Sequence, residues 1–218
     1  MIDIAVVDYG MGNLRSVAKA LEHVAPGKTV IVTSEPAQIL DAERVVFPGQ
    51  GAMPDCMREL EDKGLREAIV TAAADKPFLG ICIGLQLLFE HSEEGNAAGL
   101  GILKGNVRRF AKDVQDELGR KLKVPHMGWN QVYRDDTEAG RSHPMWENIE
   151  NGDRFYYVHS YYVDPVEKDL ISGYSIYPSR FTSCIARDNI FAVQFHPEKS
   201  QHAGLQLLSN FVHWNGRP

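Results

Sequence analysis

Hydrophobic residues in the first half of the chain form short runs that alternate with longer amphipathic stretches. Residues 2–7, 29–33 and 44–47 are runs of the kind that form buried strands. A turn at 10–13 leads into a stretch with apolar residues at helical spacing, namely Leu14, Val17, Leu21 and Val24. Strands and helices that alternate in this way predict a parallel sheet whose ligands bind beyond the carboxyl ends of its strands.

The next stretch predicts two helices and a fourth strand. Helical spacing over residues 54–75 is interrupted at Gly64, which indicates two short helices. The apolar run 78–82 predicts a buried strand that ends at Cys82, and residues 85–90 predict a helix directly behind it.

The second half has shorter segments separated by polar, glycine-containing pieces. Residues 107–110, 124–129 and 131–134 predict antiparallel strands, and residues 154–163 predict one long aromatic strand. Residues 181–187 and 190–195 predict a hairpin that turns at Asp188 and Asn189. A last helix is indicated by apolar residues near one face, Leu207, Leu208, Phe211 and Trp214.

These elements predict an α/β fold with an open, mostly parallel central sheet, helices on both faces and additional antiparallel strands in the C-terminal half. The chain has 218 residues, of which 44% are hydrophobic, and this suits a single domain over residues 1–218. A net charge of −6 without a long basic run argues against a nucleic-acid partner. Neither a secretory signal nor an apolar stretch of roughly 20 residues is present, so we expect a soluble, cytoplasmic protein that does not bind membranes.

Three cysteines, Cys56, Cys82 and Cys184, are too few and too scattered for a disulfide framework. Neither Cys-x-x-Cys nor His-Glu-x-x-His spacing occurs, so we expect no metal and no cofactor. Cys56 and Cys184 lie in no motif and are expected to be packing residues.

Cys82 stands between Gly80 and Gly84, where the predicted fourth strand meets the predicted helix. This pattern resembles the strand-to-helix elbow that carries the nucleophile of α/β-hydrolases. Free backbone N–H groups and the positive end of the following helix dipole would favour the thiolate of Cys82. An inert buried cysteine fits the isolated motif about equally well, because free cysteine is often buried.

A histidine and a carboxylate follow the last predicted strand, as His196-Pro197-Glu198. At the end of a strand parallel to that of Cys82, His196 would accept the thiol proton while Glu198 orients the imidazole ring. Taken alone, the tripeptide fits a surface turn better; paired with the cysteine elbow, it favours a thiol triad.

The third candidate element is the loop at 48–51, which follows the third strand. Acyl transfer requires hydrogen-bond donors for the oxygen that becomes negatively charged. The backbone of Gly49 and Gly51, together with the N–H of Ile83, would form such an oxyanion hole. A plain Pro-Gly turn is the alternative.

Together, the motif at 80–86 and His196-Pro197-Glu198 resemble the class I (triad) glutamine amidotransferases, whose core is flavodoxin-like. The segments 8–14, 125–130 and 156–161 resemble the glutaminase subunits of imidazole glycerol phosphate synthases. Gln50 departs from these families, many members of which have valine there. Because that loop is thought to act through its backbone, the departure bears on the local loop conformation.

The resemblance implies hydrolysis of glutamine to glutamate and ammonia through a thioester on Cys82. It further implies transfer of the ammonia to a cyclase subunit, a (β/α)₈ barrel. Gln86, Gly49 and Gly51 would contact glutamine, and His159, Ser160 and Tyr161 would hold its amino-acid end. The implied partner-facing residues are Asn13, Met127, Trp129, Asn130, Tyr156 and Lys199.

Two other interpretations remain open from the sequence. The triad would also fit the glutaminase of anthranilate or pyridoxal phosphate synthesis, against which the segment 127–130 argues. A non-catalytic regulatory module of the same fold is the second alternative. The presence of Cys82, His196 and Glu198 together argues against it, since a scaffold has no evident need for all three.

Overall fold

The computed structural model describes residues 2–111, 113, 115 and 119–217. Its strands are Ile4–Val7 (β1), Val30–Thr33 (β2), Arg44–Gly49 (β3), Phe78–Cys82 (β4), Phe89–Ser92 (β5), Ala97–Ala98 (β6), Leu103–Arg109 (β7), His126–Gln131 (β8), Tyr133–Arg134 (β9), Arg154–His159 (β10), Tyr161–Pro165 (β11), Ile171–Ile176 (β12), Arg180–Arg187 (β13) and Ile190–Val193 (β14). Its α-helices are Leu14–Val24 (α1), Pro36–Asp41 (α2), Met53–Asp62 (α3), Arg66–Asp75 (α4), Ile83–Gln86 (α5), Glu138–Arg141 (α6) and Gln201–His213 (α7).

Five parallel strands form the centre of the main sheet, in the order β2-β1-β3-β4-β14. All residues of β1, β4 and β14 are buried, as expected for parallel strands covered on both faces. Strands β2 and β3 lie on opposite sides of β1, so the two successive connections run in opposite directions across the sheet. Right-handed crossovers therefore place α1 on one face and α2 on the other. Accordingly, α1 packs against α7 and α2 packs against α4. The predicted α/β fold with helices on both faces is confirmed.

Mostly antiparallel strands extend this sheet beyond β14, in the order β13-β11-β7-β5-β6, in which β7 and β5 pair parallel. Strand β12 is attached to β13, and β9 is attached to β12. The predicted hairpin is present, since β13 and β14 pair antiparallel from Arg187 and Ile190 onward. The fold therefore places the carboxyl ends of β4 and β14 side by side, with antiparallel structure on one flank.

The predicted long strand 154–163 is wrong in one respect, because it is divided at Ser160. Its first part, β10, pairs only with β8 in a separate two-stranded sheet, whereas its second part, β11, pairs with β7 and β13 in the main sheet. An unbroken aromatic run carries no sign of such a change of partner. The break matters for the site because Ser160 lines the same cavity as Cys82.

The predicted helix at 85–90 is also wrong. Helix α5 has one turn, and Phe89 begins β5, which pairs with β7. Leu85, Leu87 and Phe89 are fully buried, and an apolar run without a polar face fits a buried helix or strand equally well. The helix α2 and the strands β5, β6 and β12 were not predicted from the sequence.

Buried side chains from both halves of the chain form one hydrophobic cluster around the main sheet. Tyr9, Phe47 and Phe78 are among its largest members and contact one another in series. Among the residues that the structure describes, no helix is both long and apolar enough to cross a bilayer.

Candidate active site

Cys82 ends β4 in a strained backbone conformation. Its φ of 57° and ψ of −109° lie where residues other than glycine are rarely found, and such strain is concentrated at functional sites. The predicted elbow is therefore present, although the helix behind it is a single turn. The contribution of a long helix dipole is reduced accordingly, leaving the backbone N–H groups of one turn.

His196 lies three residues beyond the end of β14, the parallel neighbour of β4. Its Nδ1 is 3.0 Å from Oε1 of Glu198, and the two side chains are 3% and 1% exposed. The backbone fixes this pair, since His196 N donates to the Tyr156 carbonyl at 2.9 Å and the Ser200 hydroxyl donates to the His196 carbonyl at 2.6 Å. The imidazole thus has its Nδ1 on the carboxylate and its Nε2 free for a second group.

The second group is Cys82. Burial alone would lower the pKa of His196, but the neighbouring Cys82 sulfur and the Glu198 carboxylate outweigh burial and raise this pKa above its ordinary value. Nε2 is buried and makes no regular hydrogen bond to any described residue, while the sulfur raises the pKa of the ring through its charge and through a loose hydrogen bond. Catalytic hydrogen bonds are often long until substrate is bound. The pair is therefore suited to proton transfer between sulfur and imidazole.

The predicted oxyanion loop lies directly beside the elbow. Gly49 pairs with Cys82 in the β3–β4 register, and a β-carbon on Gly49 would lie 2.4 Å from the Tyr9 hydroxyl. Gly51 has a φ of +108°, which glycine adopts at little cost. The Gln50 carbonyl lies 3.6 Å from the Cys56 thiol, while the Gln50 side chain is exposed. Glycine at 49 and 51 thus permits the loop to approach the sulfur.

A cavity of about 310 Å³ opens onto the Cys82 sulfur. It contains most of the predicted site residues, which are Gly51, Cys82, Ile83, Gln86, His159, Ser160, Tyr161 and His196. Gly49 and Glu198 do not line it; they support the loop and the histidine from behind. A broader groove of about 1120 Å³ shares only Pro125 with this cavity and contains none of the three candidate catalytic residues.

Three wall residues were not predicted from the sequence, namely Glu94, Pro125 and Val158. Glu94 follows β5 in a 3₁₀ turn, and its Oε2 accepts the Met53 N–H at 2.8 Å. Gln194 was also missed, although its Nε2 lies 3.8 Å from the Cys82 sulfur. Nothing in a run such as Glu93-Glu94-Gly95 distinguishes a carboxylate at a cavity wall from one in a solvated turn, so the sequence gives no signal for this role.

Some polar groups of the predicted substrate-binding residues already make hydrogen bonds within the protein. Gln86 donates its Nε2 to the Tyr161 carbonyl and to Gln194 Oε1, each at 3.1 Å, whereas its buried Oε1 has no partner among the described residues. Both ring nitrogens of His159 are engaged, with His126 at 2.9 Å and with the Tyr161 carbonyl at 2.8 Å. His159 therefore shapes the wall through its hydrogen bonds, and Gln86 Oε1 remains an acceptor for a ligand.

The predicted partner-facing residues include an exposed aromatic patch. Met127 and Trp129 on β8 are 63% and 42% exposed. Trp129 pairs with Tyr156 on β10, and their rings meet edge to face at 6.1 Å. The remaining residues of this set, Asn13, Asn130 and Lys199, are half-buried. An exposed Met-Trp pair is typical of a docking surface.

Among the described residues, no group of three His, Cys, Asp or Glu side chains is placed to hold a metal ion. All three cysteines are free and buried. Burial raises the pKa of Cys56 to about 11, and Cys184 is shifted in the same direction for the same reason. The site is thus a buried cysteine beside a carboxylate-supported histidine, in a small polar cavity.

Comparison with known proteins assigns this arrangement to a family. A family model described as Glutamine amidotransferase class-I matches residues 5–214, a range that contains both the cysteine elbow and the His196–Glu198 pair. The chain therefore belongs to the class-I glutamine amidotransferase family.

Similar proteins show where the chain lies within that family. The chain is 66% identical over 215 residues to the imidazole glycerol phosphate synthase subunit HisH of Thiobacillus denitrificans, covering 98% of this chain and 92% of that protein. It is 65% identical over 216 residues to the subunit of the same name from Aromatoleum aromaticum, covering 98% and 99%. Within the family, the chain groups with the HisH subunits, and the resemblance inferred from its motifs is confirmed.

Solved structures support the fold. A crystal structure of a glutamine amidotransferase superposes with a TM-score of 0.67 at 12% identity, covering 96% of this chain and 99% of that chain. The structure of PurLQS from Thermotoga maritima gives 0.63 at 18% identity, covering 98% of each chain. At such identities the likeness concerns the fold alone.

Proposed function

We propose that this chain, as one amidotransferase domain in the cytoplasm, hydrolyses glutamine and supplies the ammonia to a cyclase subunit. That subunit would make imidazole glycerol phosphate and aminoimidazole carboxamide ribonucleotide in histidine biosynthesis. The observation that carries the proposal is the convergence of Cys82 with the His196–Glu198 pair at neighbouring strand ends, 3.0 Å separating Nδ1 from Oε1. Relatives 66% and 65% identical over nearly the whole chain support the choice of acceptor pathway.

The geometry supports a two-step hydrolysis. His196 takes the thiol proton of Cys82, and the sulfur attacks the side-chain carboxamide carbon of glutamine. The oxygen that becomes negative would lie beside the loop of Gly49 and Gly51 and the N–H of Ile83. His196 gives its proton to the leaving nitrogen, which departs as ammonia and leaves a glutamyl thioester. His196 then accepts a proton from water, whose oxygen displaces the sulfur and releases glutamate.

Two acceptors in the cavity suit the α-ammonium group of glutamine. Glu94 and Gln86 both line the cavity, and the buried Oε1 of Gln86 lacks a partner among the described residues. Ser160 and Tyr161 line the same wall. Together these groups would hold the amino-acid end while the carboxamide reaches the sulfur.

Transfer of ammonia accounts for the exposed patch on β8. Ammonia released into water at neutral pH is protonated and lost as a nucleophile, so a docked acceptor is chemically required. Met127 and Trp129 present apolar surface beside Tyr156, close to where the Tyr156 carbonyl holds His196. The patch thus lies near the site that would release ammonia.

The experiment that tests the proposal is Cys82→Ala in the reconstituted complex with the cyclase subunit. Glutamine-dependent synthesis should fall by about 10³-fold or more, since the nucleophile is removed, whereas synthesis from added ammonium salt should persist. Retention of the glutamine-dependent rate would falsify the assignment of Cys82. A second measurement compares glutamine hydrolysis with and without the partner and its nucleotide ligand. Equally high activity in both would show that hydrolysis does not depend on the partner.

A further inference from the structure

We propose that Gln194 is a further catalytic residue, whose carboxamide N–H donates to the Cys82 sulfur and favours its ionised form. The inference rests on the proposed function only in taking Cys82 as the nucleophile. The argument comes from where Gln194 lies and from which way its amide must point.

Gln194 is positioned by the sheet itself. It follows the last residue of β14, whose Val193 pairs with Ile81 next to Cys82. Its backbone N–H donates to the Ser183 carbonyl at 2.8 Å, and its side chain is fully buried. The side-chain Nε2 lies 3.8 Å from the Cys82 sulfur, within the range of a hydrogen bond to sulfur. A buried amide in this place cannot turn to water for a partner.

The orientation of the amide follows from a fixed acceptor. The Tyr161 carbonyl can only accept, so the group of Gln86 that faces it at 3.1 Å must be the NH₂. The second hydrogen of the same NH₂ points to Gln194 at 3.1 Å, and the atom that receives it must therefore be the oxygen. Hence the NH₂ of Gln194 is on the other side, facing the sulfur.

A chain of hydrogen bonds holds the Tyr161 carbonyl from the opposite direction. His159 Nδ1 lies 2.8 Å from that carbonyl and must carry a proton. Burial lowers the pKa of His159 to about 3 and that of His126 to about 4, so both rings are neutral. A neutral His159 then accepts at Nε2, and His126 Nδ1 is the donor at 2.9 Å.

Asn130 is the outermost member of this chain of hydrogen bonds and fixes the direction in which its donors point. Its NH₂ donates to the Ile176 carbonyl at 3.0 Å, and its Oδ1 accepts the Gln131 N–H at 2.8 Å, so the orientation of the amide is determined twice. The Nδ2 of Asn130 lies 3.3 Å from His126 Nε2, and its second hydrogen points to this free acceptor of the neutral ring. Every donor from Asn130 inward therefore points towards the Tyr161 carbonyl.

Both lone pairs of the Tyr161 carbonyl are thus occupied, one by His159 and one by Gln86. Gln86 cannot exchange its NH₂ and oxygen without placing two acceptors face to face, and Gln194 is held by the same argument. The donor on the sulfur is therefore preorganised rather than recruited with substrate, which is the condition under which such a group stabilises charge.

The titratable groups around the sulfur act on it differently. A protonated His196 also favours the thiolate, but this effect is lost when the ring gives up its proton. His196 faces it from the loop after β14, with Glu198 behind the ring. Tyr9 and Cys56 also interact with Cys82, but burial raises the pKa of each, so both are neutral near pH 7. Gln194 is the donor that cannot lose its proton, and its contribution should be the same across the working pH range.

The test is the pH dependence of Cys82 alkylation by iodoacetamide in the full-length chain, followed by mass spectrometry of the Cys82 peptide. Gln194→Met keeps the length of the side chain and removes the donor. Alkylation at neutral pH should slow by about tenfold, because the thiolate loses a hydrogen bond that stabilises it. Gln206→Met on α7 is the matched control and should alkylate like the unmodified chain.

A second variant, Gln194→Glu, retains an oxygen acceptor for Gln86 and covers the case in which the methionine variant fails to fold. It also lacks the amide donor, and its alkylation profile should shift in the same direction. In the complex, both variants should lower kcat for glutamine with little change in KM. Loss of packing alone does not lower kcat while leaving KM unchanged.

An alkylation profile unchanged in both variants overturns the role of Gln194 and leaves the proposed function intact. Absence of glutamine hydrolysis by the unmodified complex would instead overturn the proposed function. The alkylation profile would still decide the inference in that case, because it is measured without glutamine.

Discussion

Gly84 lies against the backbone of Phe47 so closely that a β-carbon at position 84 would be 1.8 Å from the Phe47 carbonyl oxygen. The turn behind Cys82 is thereby pressed onto the end of β3, where Gly49 pairs with Cys82. Close packing of the turn and the strand sets the distance between nucleophile and oxyanion loop. Gly84 is thus required for its lack of a side chain, whatever its backbone angles.

Gly84→Ala is expected to destabilise the fold by about 3 kcal/mol or more, because the obstructing atom belongs to a central strand and cannot move aside. Urea unfolding at equilibrium measures the effect. The matched control is Gly64→Ala, where a β-carbon meets no described atom within 4 Å but φ is +63°, so the loss should be about 1 kcal/mol. Equal losses in the two variants would contradict the role of the close contact.

The sequence predicts the elbow, the histidine–carboxylate pair and the parallel core because each is a local pattern. Cys82 is flanked by glycines after an apolar run, and His196-Pro197-Glu198 follows another such run. The register that places Val193 beside Ile81 then brings the two motifs together. What the sequence predicts well is therefore what a single strand and the turn behind it determine.

The rest depends on partners far away along the chain. Glu94 becomes a wall residue only because β5 joins the edge of the sheet beside β7, and an apolar run such as 85–89 does not distinguish that strand from a helix. Gln194 resembles any polar residue at a strand end until Gln86 and Tyr161 are placed around it. Long-range pairing therefore supplies the details of the site that local patterns leave open.

Glu94→Gln is expected to raise KM for glutamine by roughly tenfold while kcat changes little, because a charge-assisted hydrogen bond to the substrate ammonium would become a neutral one. Steady-state glutaminase kinetics of the complex measures both constants. Glu93→Gln is the matched control, since Glu93 also accepts a backbone N–H, that of Arg109, but does not line the cavity. A fall in kcat at unchanged KM would contradict a role for Glu94 in substrate binding.

Trp129→Ala is expected to weaken binding of the cyclase subunit by roughly 30-fold, as for a well-placed aromatic anchor worth about 2 kcal/mol. The isolated variant should unfold like the unmodified chain, because the ring is 42% exposed and contributes little to the core. Titration calorimetry with the partner gives the dissociation constant. Val166→Ala removes a comparably exposed hydrophobic side chain outside β8 and should leave affinity unchanged; an equal loss there would argue against a localised docking patch.

Buried histidines should make the fold sensitive to mild acid. Burial lowers the pKa of His126 and His143 to about 4 and that of His159 to about 3, against roughly 6.5 in the unfolded chain. Below pH 6.5 the unfolded chain therefore binds protons that the folded chain does not, and the free energy of unfolding falls as the pH decreases. His196 has a raised pKa, so the stability that it contributes is fully present below pH 6.5 and is lost only at higher pH.

His143→Asn isolates one of these contributions. Asparagine can still accept the Met145 N–H, as His143 Nδ1 does at 3.2 Å, but it does not titrate. Loss of ring contacts with Phe191 and Trp214 should lower the free energy of unfolding equally at every pH. The fall in that free energy between pH 7 and pH 5 should be about 2 kcal/mol smaller in the variant than in the unmodified chain. Urea unfolding at the two pH values measures this difference, with the exposed His202→Asn as control. If His143→Asn loses as much stability on acidification as the unmodified chain, His143 is not buried in its neutral form.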